Sequence, residues 1–480
     1  MTMEKQDFKK VIKEELERLS RQQLRIKEKN KGVVVLIEGW ATAGKSKIIN
    51  KAVDYIDPKF YNVAVMRGLS KEEKFSPFVK KYFCRLPELG SFVFYDSGWA
   101  YECVSNYVKT KDKLKLQQDI ESIILFEKQL KDNGYIVVKI FLDITVEEQK
   151  KRMKKLQSNP DTAWKVSKED LYEAKHCTEF EDTMNLVLKN TNTIFASWKV
   201  LNSCDKNNCI YEALKTINNT IDKGLEEKYT PKTSMFDFPL LPITPLNQID
   251  LSHSLEQKEY KQKLENLQSR LAILHNKIYK EKIPVVIVYE GQDAAGKGGN
   301  IKRLTKSLHS RGFIIHPISA PTSIEKNRHY LWRFWNKVPK KGHFAIFDRS
   351  WYGRVMVERI EKFCTKNDWQ RAFNEINEFE YELTKWGAIV IKFWVQIDKD
   401  TQLERFNTRQ NTPEKSWKIT EEDWRNREKW DKYEVAVNEM LKKTNTSFAP
   451  WHILESNDKK YARIKALEIV VETLEQALKK

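Results

Sequence analysis

Two glycine-rich turns, each entered from a β-branched apolar run and each ending in Gly-Lys, stand 252 positions apart in this chain of 480 residues. The first is Gly39-Trp40-Ala41-Thr42-Ala43-Gly44-Lys45-Ser46, after Val33 to Ile37. The second is Gly291-Gln292-Asp293-Ala294-Ala295-Gly296-Lys297-Gly298-Gly299, after Pro284 to Tyr289. The same offset separates Asp96, which ends an apolar run from Phe92, from Asp348, which ends one from Phe344. Further on, Ala163-Trp164-Lys165-Val166-Ser167 matches Ser416-Trp417-Lys418-Ile419-Thr420 at an offset of 253. Asn192 to Trp198 matches Asn445 to Trp451 at that same 253. A period this long specifies two homologous domains, since a solenoid repeats every 20 to 50 residues or so.

Four prolines, at 231, 239, 242 and 245, crowd the stretch between the copies and read as a linker over 230–250. The expected domains are therefore 1–229 and 251–480. Within each, a basic helix leads into strand, glycine turn and helix. A second strand follows (Val63 to Met66; Phe313 to Ile318), then the strand that ends in Asp. A fourth strand (Tyr135 to Asp143; Ala388 to Asp398), a charged helical segment and a last strand near the late Trp complete the copy. Strands alternating with helices predict an α/β fold: two P-loop kinase-like domains, each a parallel sheet flanked by helices with a helical lid. Ligands in such sheets bind at the carboxyl ends of the strands.

Charge narrows the partner. The chain carries a net charge of +18, which favours a polyanion: nucleic acid, phosphorylated substrate or membrane surface. No apolar run approaches the ~20 residues of a membrane span, and residues 1–31 lack the apolar core of a signal peptide. Six scattered cysteines show no Cys-x-x-Cys, and the eight histidines show no metal spacing. The expectation is a cytoplasmic, reducing location.

A turn of this kind wraps an anion with backbone N–H groups at a helix N-terminus, and Lys297 adds a point charge. A carboxylate at the end of a strand beyond it is placed to handle Mg²⁺. The two copies differ where the chemistry needs charge. The second has Asp293 and Asp348-Arg349-Ser350-Trp351-Tyr352, whereas the first has Ala41 and Asp96-Ser97-Gly98-Trp99-Ala100. The first satisfies the Gly-Lys-Ser form through Ser46, and the second has Gly298 there, so a metal in the second must rely on Asp293 and Asp348. The cradle itself is Gly291, Ala294, Ala295, Gly296, Lys297, Gly298 and Gly299. The stretch Ser319-Ala320-Pro321-Thr322, with Arg333 and the nearby Trp332 and Trp335, suits a nucleotide; buried aromatics and solvated arginines are the plainer alternative. Arg405 and Arg409, one helical turn apart, read as cations on a lid over the transferring group or as a solvated basic face.

Taken together, Glu290 to Gly299, Asp348 to Tyr352 and Trp417 to Thr420 resemble the type 2 polyphosphate kinases. The tandem arrangement is similar to their fused two-domain class, the polyphosphate:AMP phosphotransferases. The resemblance implies Mg²⁺-dependent transfer of the terminal phosphoryl of inorganic polyphosphate to a nucleotide, AMP in that class. It implies that Asp293 and Asp348 organise metal and acceptor, that Lys297 and Arg349 neutralise the transferring group, and that Arg405 and Arg409 are lid cations. Glu358 falls where a supporting acid is found. The first copy, which departs at Ala41, Ser97 and Gly98, becomes a degenerate domain without catalysis, a structural partner or a guide for polyphosphate that keeps Lys45 and Asp96 to hold an anion loosely. Polyphosphate is bound through its charge, as other phosphate backbones are. A polyphosphate-dependent ADP or GDP kinase, an ATP-dependent nucleotide kinase and a non-catalytic polyphosphate binder stay open as alternatives. Neither nucleic acid nor membrane is expected as a partner, and the reading leaves room for a homo-oligomer.

Overall fold

The computed structural model describes residues 5–67, 70, 73, 75–227, 237–414 and 416–479. The chain forms two compact units, neither of them a contiguous half. One takes Met1–Lys74, Phe78–Thr230 and Thr322–Trp332; the other takes Phe75–Pro77, Pro231–Pro321 and Arg333–Lys480.

The first unit is built on β1 (Val33–Gly39), β2 (Tyr61–Val65), β3 (Phe92–Asp96), β4 (Ile136–Asp143) and β5 (Trp198–Asn202). They form one sheet in the order β2-β3-β1-β4-β5, parallel throughout. The second unit repeats this with β6 (Val285–Gly291), β7 (Phe313–Pro317), β8 (Phe344–Asp348), β9 (Ile389–Gln396) and β10 (Trp451–Glu455), in the order β7-β8-β6-β9-β10. The central strands β1 and β6 are near-continuous apolar runs because both faces of a parallel sheet are covered. In the first unit the helices Lys5–Glu28 and Lys206–Glu226 pack together, with Leu16, Leu19, Ala213 and Ile217 in the core under β1. The helices Gln257–Lys280 and Lys459–Ala477 do the same under β6, through Leu271, Ile278, Leu467 and Val471.

Register fixes the site. Tyr289 pairs with Asp348, so the carboxylate ends its strand level with the start of the glycine turn. Ile37 and Asp96 stand in the same relation in the first unit.

Each unit also buries an ion pair completely. Lys139 Nζ reaches Glu127 at 2.7 Å in the first and Lys392 Nζ reaches Glu380 at 2.7 Å in the second. Of the expected linker, 230–250, residues 230–236 including Pro231 lie outside the described residues. The described part runs along the second unit, with Leu241 N donating to Asn445 O at 2.7 Å and Ser447 N to Pro239 O at 3.1 Å. Among the described residues no helix is long and apolar enough to cross a membrane.

Candidate active site

The cradle of the second unit begins where β6 runs out. Gly291 has φ 149°, and a Cβ there would lie 2.4 Å from the Val395 carbonyl oxygen, so only glycine fits. Gly296, at φ 116°, turns the chain into the helix Lys297–Thr305. Ala294 between them also holds left-handed backbone, at φ 61°, which costs a non-glycine residue on the order of 1 kcal/mol. The Lys297 ammonium folds back over the loop and donates to Gly291 O at 2.7 Å and Gln292 O at 3.1 Å. Burial pulls its pKa down, and Arg349 adds to this against the opposing charges of Asp293, Asp348 and Glu290.

Arg349 follows β8 in left-handed backbone, φ 65°, pinned by its N–H to Tyr289 O at 3.0 Å. That turn directs its guanidinium to Asp293, Nη2 to Oδ1 at 3.0 Å. The other Asp293 oxygen accepts from Asn426 Nδ2 at 2.9 Å, and Tyr433 donates to Asn426 Oδ1 at 3.1 Å. Gln402 Nε2 holds the Asp293 carbonyl at 3.1 Å. Behind them Ser350 Oγ donates to the buried Glu290 carboxylate at 2.8 Å, whose pKa burial raises. Trp351 and Tyr352 both donate to Glu380, at 3.1 and 2.7 Å, so the second half of the Asp-Arg-Ser-Trp-Tyr segment is an anchor into the buried ion pair.

The structure therefore brings Asp293, Lys297, Asp348 and Arg349 into one mutually interacting charge cluster. Arg405 requires a correction. The sequence places it among the lid cations, but its buried guanidinium donates to Ala294 O, Ala295 O, Ser456 O and Asn457 O at 3.0, 2.9, 2.5 and 3.0 Å. It braces the cradle from its carbonyl side, with its pKa lowered by burial to about 10. Arg409, one turn on in the helix Lys399–Gln410, is half-buried and donates to Lys418 O at 3.4 Å. Glu358 pairs with Arg354 at 3.2 Å. Arg333 Nη2 donates to Ser319 O at 3.0 Å, which ties it to the loop carrying Ala320 and Pro321. Thr322 caps the short helix Ser323–Lys326 and falls in the other unit's segment. Gly298 is exposed, with open space where a side chain would be, and Gly299 lies under Arg463.

Among the described residues no group of three or more His, Cys, Asp or Glu gathers to hold a metal. Two carboxylates, Asp293 and Asp348, beside a phosphate cradle still fit Mg²⁺, which takes one or two protein carboxylates and completes its shell with phosphate oxygens and water.

The first unit keeps the same loop backbone, with Thr42 at φ 62° and Ser97 at φ 61°. Lys45 folds back to Gly39 O and Trp40 O at 2.8 and 3.0 Å, as Lys297 does. Ser46 Oγ donates to Asp96 at 2.6 Å.

A model of the family described as polyphosphate kinase 2 matches residues 2–229 and again 254–480. The chain belongs to the polyphosphate kinase 2 family. This family member is 38% identical over 493 aligned positions to a polyphosphate:AMP phosphotransferase of Pseudomonas aeruginosa, covering 100% of this chain and 98% of that protein. It is 39% identical over 215 positions to ADP-polyphosphate phosphotransferase 2 of Rhizobium meliloti, covering 45% of this chain and 70% of that one. A crystal structure of a polyphosphate kinase 2 from Pseudomonas aeruginosa PA01 superposes with a TM-score of 0.86 at 36% identity, over 100% of this chain and 98% of that one.

Sequence reasoning passed over Asn426, Gln402, Tyr433 and Ser456, which orient the loop from more than 100 residues away. A signal was there for Asn426. Aligned at the late offset of 253, it stands opposite Glu173, while Asp293 stands opposite Ala41 at the earlier 252.

Proposed function

We propose that this enzyme transfers the terminal phosphoryl of inorganic polyphosphate to AMP, giving ADP, and that the chemistry takes place in the second repeat. One observation carries the acceptor: the relative matched across both repeats is named for AMP, whereas the relative named for ADP matches under half of the chain.

The donor phosphate lies over the loop from Gly291 to Gly299, held by backbone N–H groups and Lys297. Lys297 is half-buried, so its charge is less screened than on an open surface. Arg349 offers a planar fork to the transferring group once Asp293 releases one of its N–H donors. Asp293 orients the acceptor phosphate rather than deprotonating it, because a phosphate monoester near neutral pH is already largely ionised (second pKa about 6). Mg²⁺ held by Asp293 and Asp348 would supply charge neutralisation of the phosphoryl oxygens. Ala320, Pro321, Thr322 and Arg333 are the proposed nucleotide contacts, Arg409 the proposed lid cation and Glu358 a supporting acid. The first repeat, without Asp293 and Arg349 counterparts, is proposed to be non-catalytic. Six free thiols suit a cytoplasmic setting.

The test is to incubate the pure chain with Mg²⁺, polyphosphate and each of AMP, ADP and GDP below saturation and follow the products. A higher kcat/KM with ADP than with AMP overturns the acceptor. Turnover with ATP while polyphosphate is inert overturns the donor in favour of an ordinary nucleotide kinase.

A further inference from the structure

In the first unit the loop N–H of Ala41 already has an anionic partner. Glu173 Oε1 accepts from it at 2.7 Å. The same oxygen accepts from Gln149 Nε2 at 2.9 Å, Tyr101 bonds the carboxylate through its hydroxyl, and the side chain is 1% exposed. Arg67 closes the cluster. Its guanidinium pairs with Asp170 and with Glu173, the latter at 3.5 Å, and lies 4.1 Å over the Tyr101 ring. The place where a P-loop presents an N–H and a guanidinium to phosphate is filled by this chain's own carboxylates.

The second unit has the same framework with the charge relocated. Capping boxes Ser167/Asp170 and Thr420/Asp423 start the helices Lys168–Lys175 and Glu421–Glu428 in the same register. Six residues after the cap stands Glu173 in one and Asn426 in the other. Asn426 sends its amide to the Asp293 carboxylate, the side chain that Ala41 lacks. One repeat thus carries its acid on the loop and a neutral amide on the helix; the other carries the acid on the helix, aimed at the loop.

We propose that this helix position decides whether each cradle admits a phosphoryl anion: Glu173 occupies and closes the first, and Asn426 leaves the second open. A phosphate entering the first cradle has to displace a buried carboxylate from four donors, one of them the loop N–H itself. The amide at 426 takes no loop N–H: it donates to Asp293, the second cradle's own acid, which Arg349 also holds. The idea rests on the assignment of phosphate binding to the second repeat and supplies a cause for the silence of the first.

The experiment is calorimetric titration of the full chain with Mg²⁺-pyrophosphate at a salt concentration that suppresses non-site binding to the basic surface. The wild-type chain should bind at one site, abolished by Lys297→Ala. Glu173→Asn should add a second site, abolished by Lys45→Ala. Asn426→Glu, and the smaller Asn426→Asp, should weaken the original site at least tenfold. Glu173 is buried against Arg67, so the isosteric Glu173→Gln is titrated beside it and thermal unfolding is recorded for each variant; Asp170 keeps its pair with Arg67 in both. Two Lys-dependent sites in the wild-type chain overturn the proposal. So does no added site in folded Glu173→Asn and Glu173→Gln, or wild-type affinity in Asn426→Glu. A failure of the functional reading looks different: AMP is not phosphorylated, while the stoichiometry of pyrophosphate still follows the residue at 173.

Discussion

Lys45 and Lys297 adopt the same pose over the two equivalent carbonyls, so geometry alone does not separate the lysine proposed to act from the one proposed to be silent. What differs is where the acid comes from: Lys297 stands beside Asp293, Asp348, Glu290 and Arg349, with the acid on the loop, whereas Lys45 stands beside Glu173, Asp96, Glu38 and Arg67, with the acid on the helix and already accepting from a loop N–H. Lys297→Met should lower kcat/KM at least ~10²-fold, the scale of losing one charge-stabilising group, whereas Lys45→Met should stay within roughly threefold. Equal damage from both would refute the division of labour. A second residue titrates within reach of experiment. Burial, with help from Lys465 and Lys392, pushes His452 down to about 4 from its ordinary 6.5. The folded state then binds fewer protons than the unfolded one between those values, so stability is whole above pH 6.5 and falls as pH drops toward 4, by up to about 3 kcal/mol. Denaturant melts across that window should show the loss, and His452→Asn should flatten it. The glycines, Lys297 and the Asp-ending strands were legible in the sequence because each answers a local constraint of turn, strand period or charge. Arg405 was misread because its partners are carbonyls, which every residue carries and no motif advertises.

At the scale of elements, the segment from Asp348 to Tyr352 is anchored at its buried end. Its first residues face the cradle, and Trp351 and Tyr352 donate to Glu380, which pairs with Lys392 where neither side chain is exposed. Lys392→Met removes one charge and leaves the other buried, a loss of roughly 3–5 kcal/mol. Thermal unfolding of the single variant against the double variant with Glu380→Gln checks this; the double should recover part of the stability. A single variant as stable as wild type would mean that the pair anchors nothing. The strands and their order followed from alternation of apolar runs with helical patterns. The anchoring pair did not, because a Glu in a charged helix and a Lys within an apolar strand look like ordinary surface residues until the sheet closes over them.

For the whole molecule, net charge sets the behaviour toward a polyanion. Its +18 predicts that the KM for polyphosphate rises steeply with salt while the KM for AMP moves little, since counterion release scales with the number of phosphates engaged. Parallel salt dependence of the two would place donor binding in a few short-range contacts instead. The second prediction at this scale concerns division of the chain. Thr322–Trp332 belongs to the first unit, where Arg328 Nε donates to Leu86 O and Trp332 Nε1 to Cys84 O, both at 3.2 Å, and Leu89 N donates to Asn327 O at 2.8 Å. Residues 251–480 expressed alone carry a segment whose partners are missing, and should unfold at a lower temperature than the intact chain; an unchanged Tm would show the segment to be dispensable. The two repeats are thus not free to drift apart as separate genes would be. A first repeat that is non-catalytic, as proposed above, still cannot lose its core, because part of its sister's chain folds there. On that proposal selection relaxes on the side chains lining the cradle, Ala41, Ser97 and Glu173 among them, while the left-handed backbone at Thr42 and Ser97 is kept.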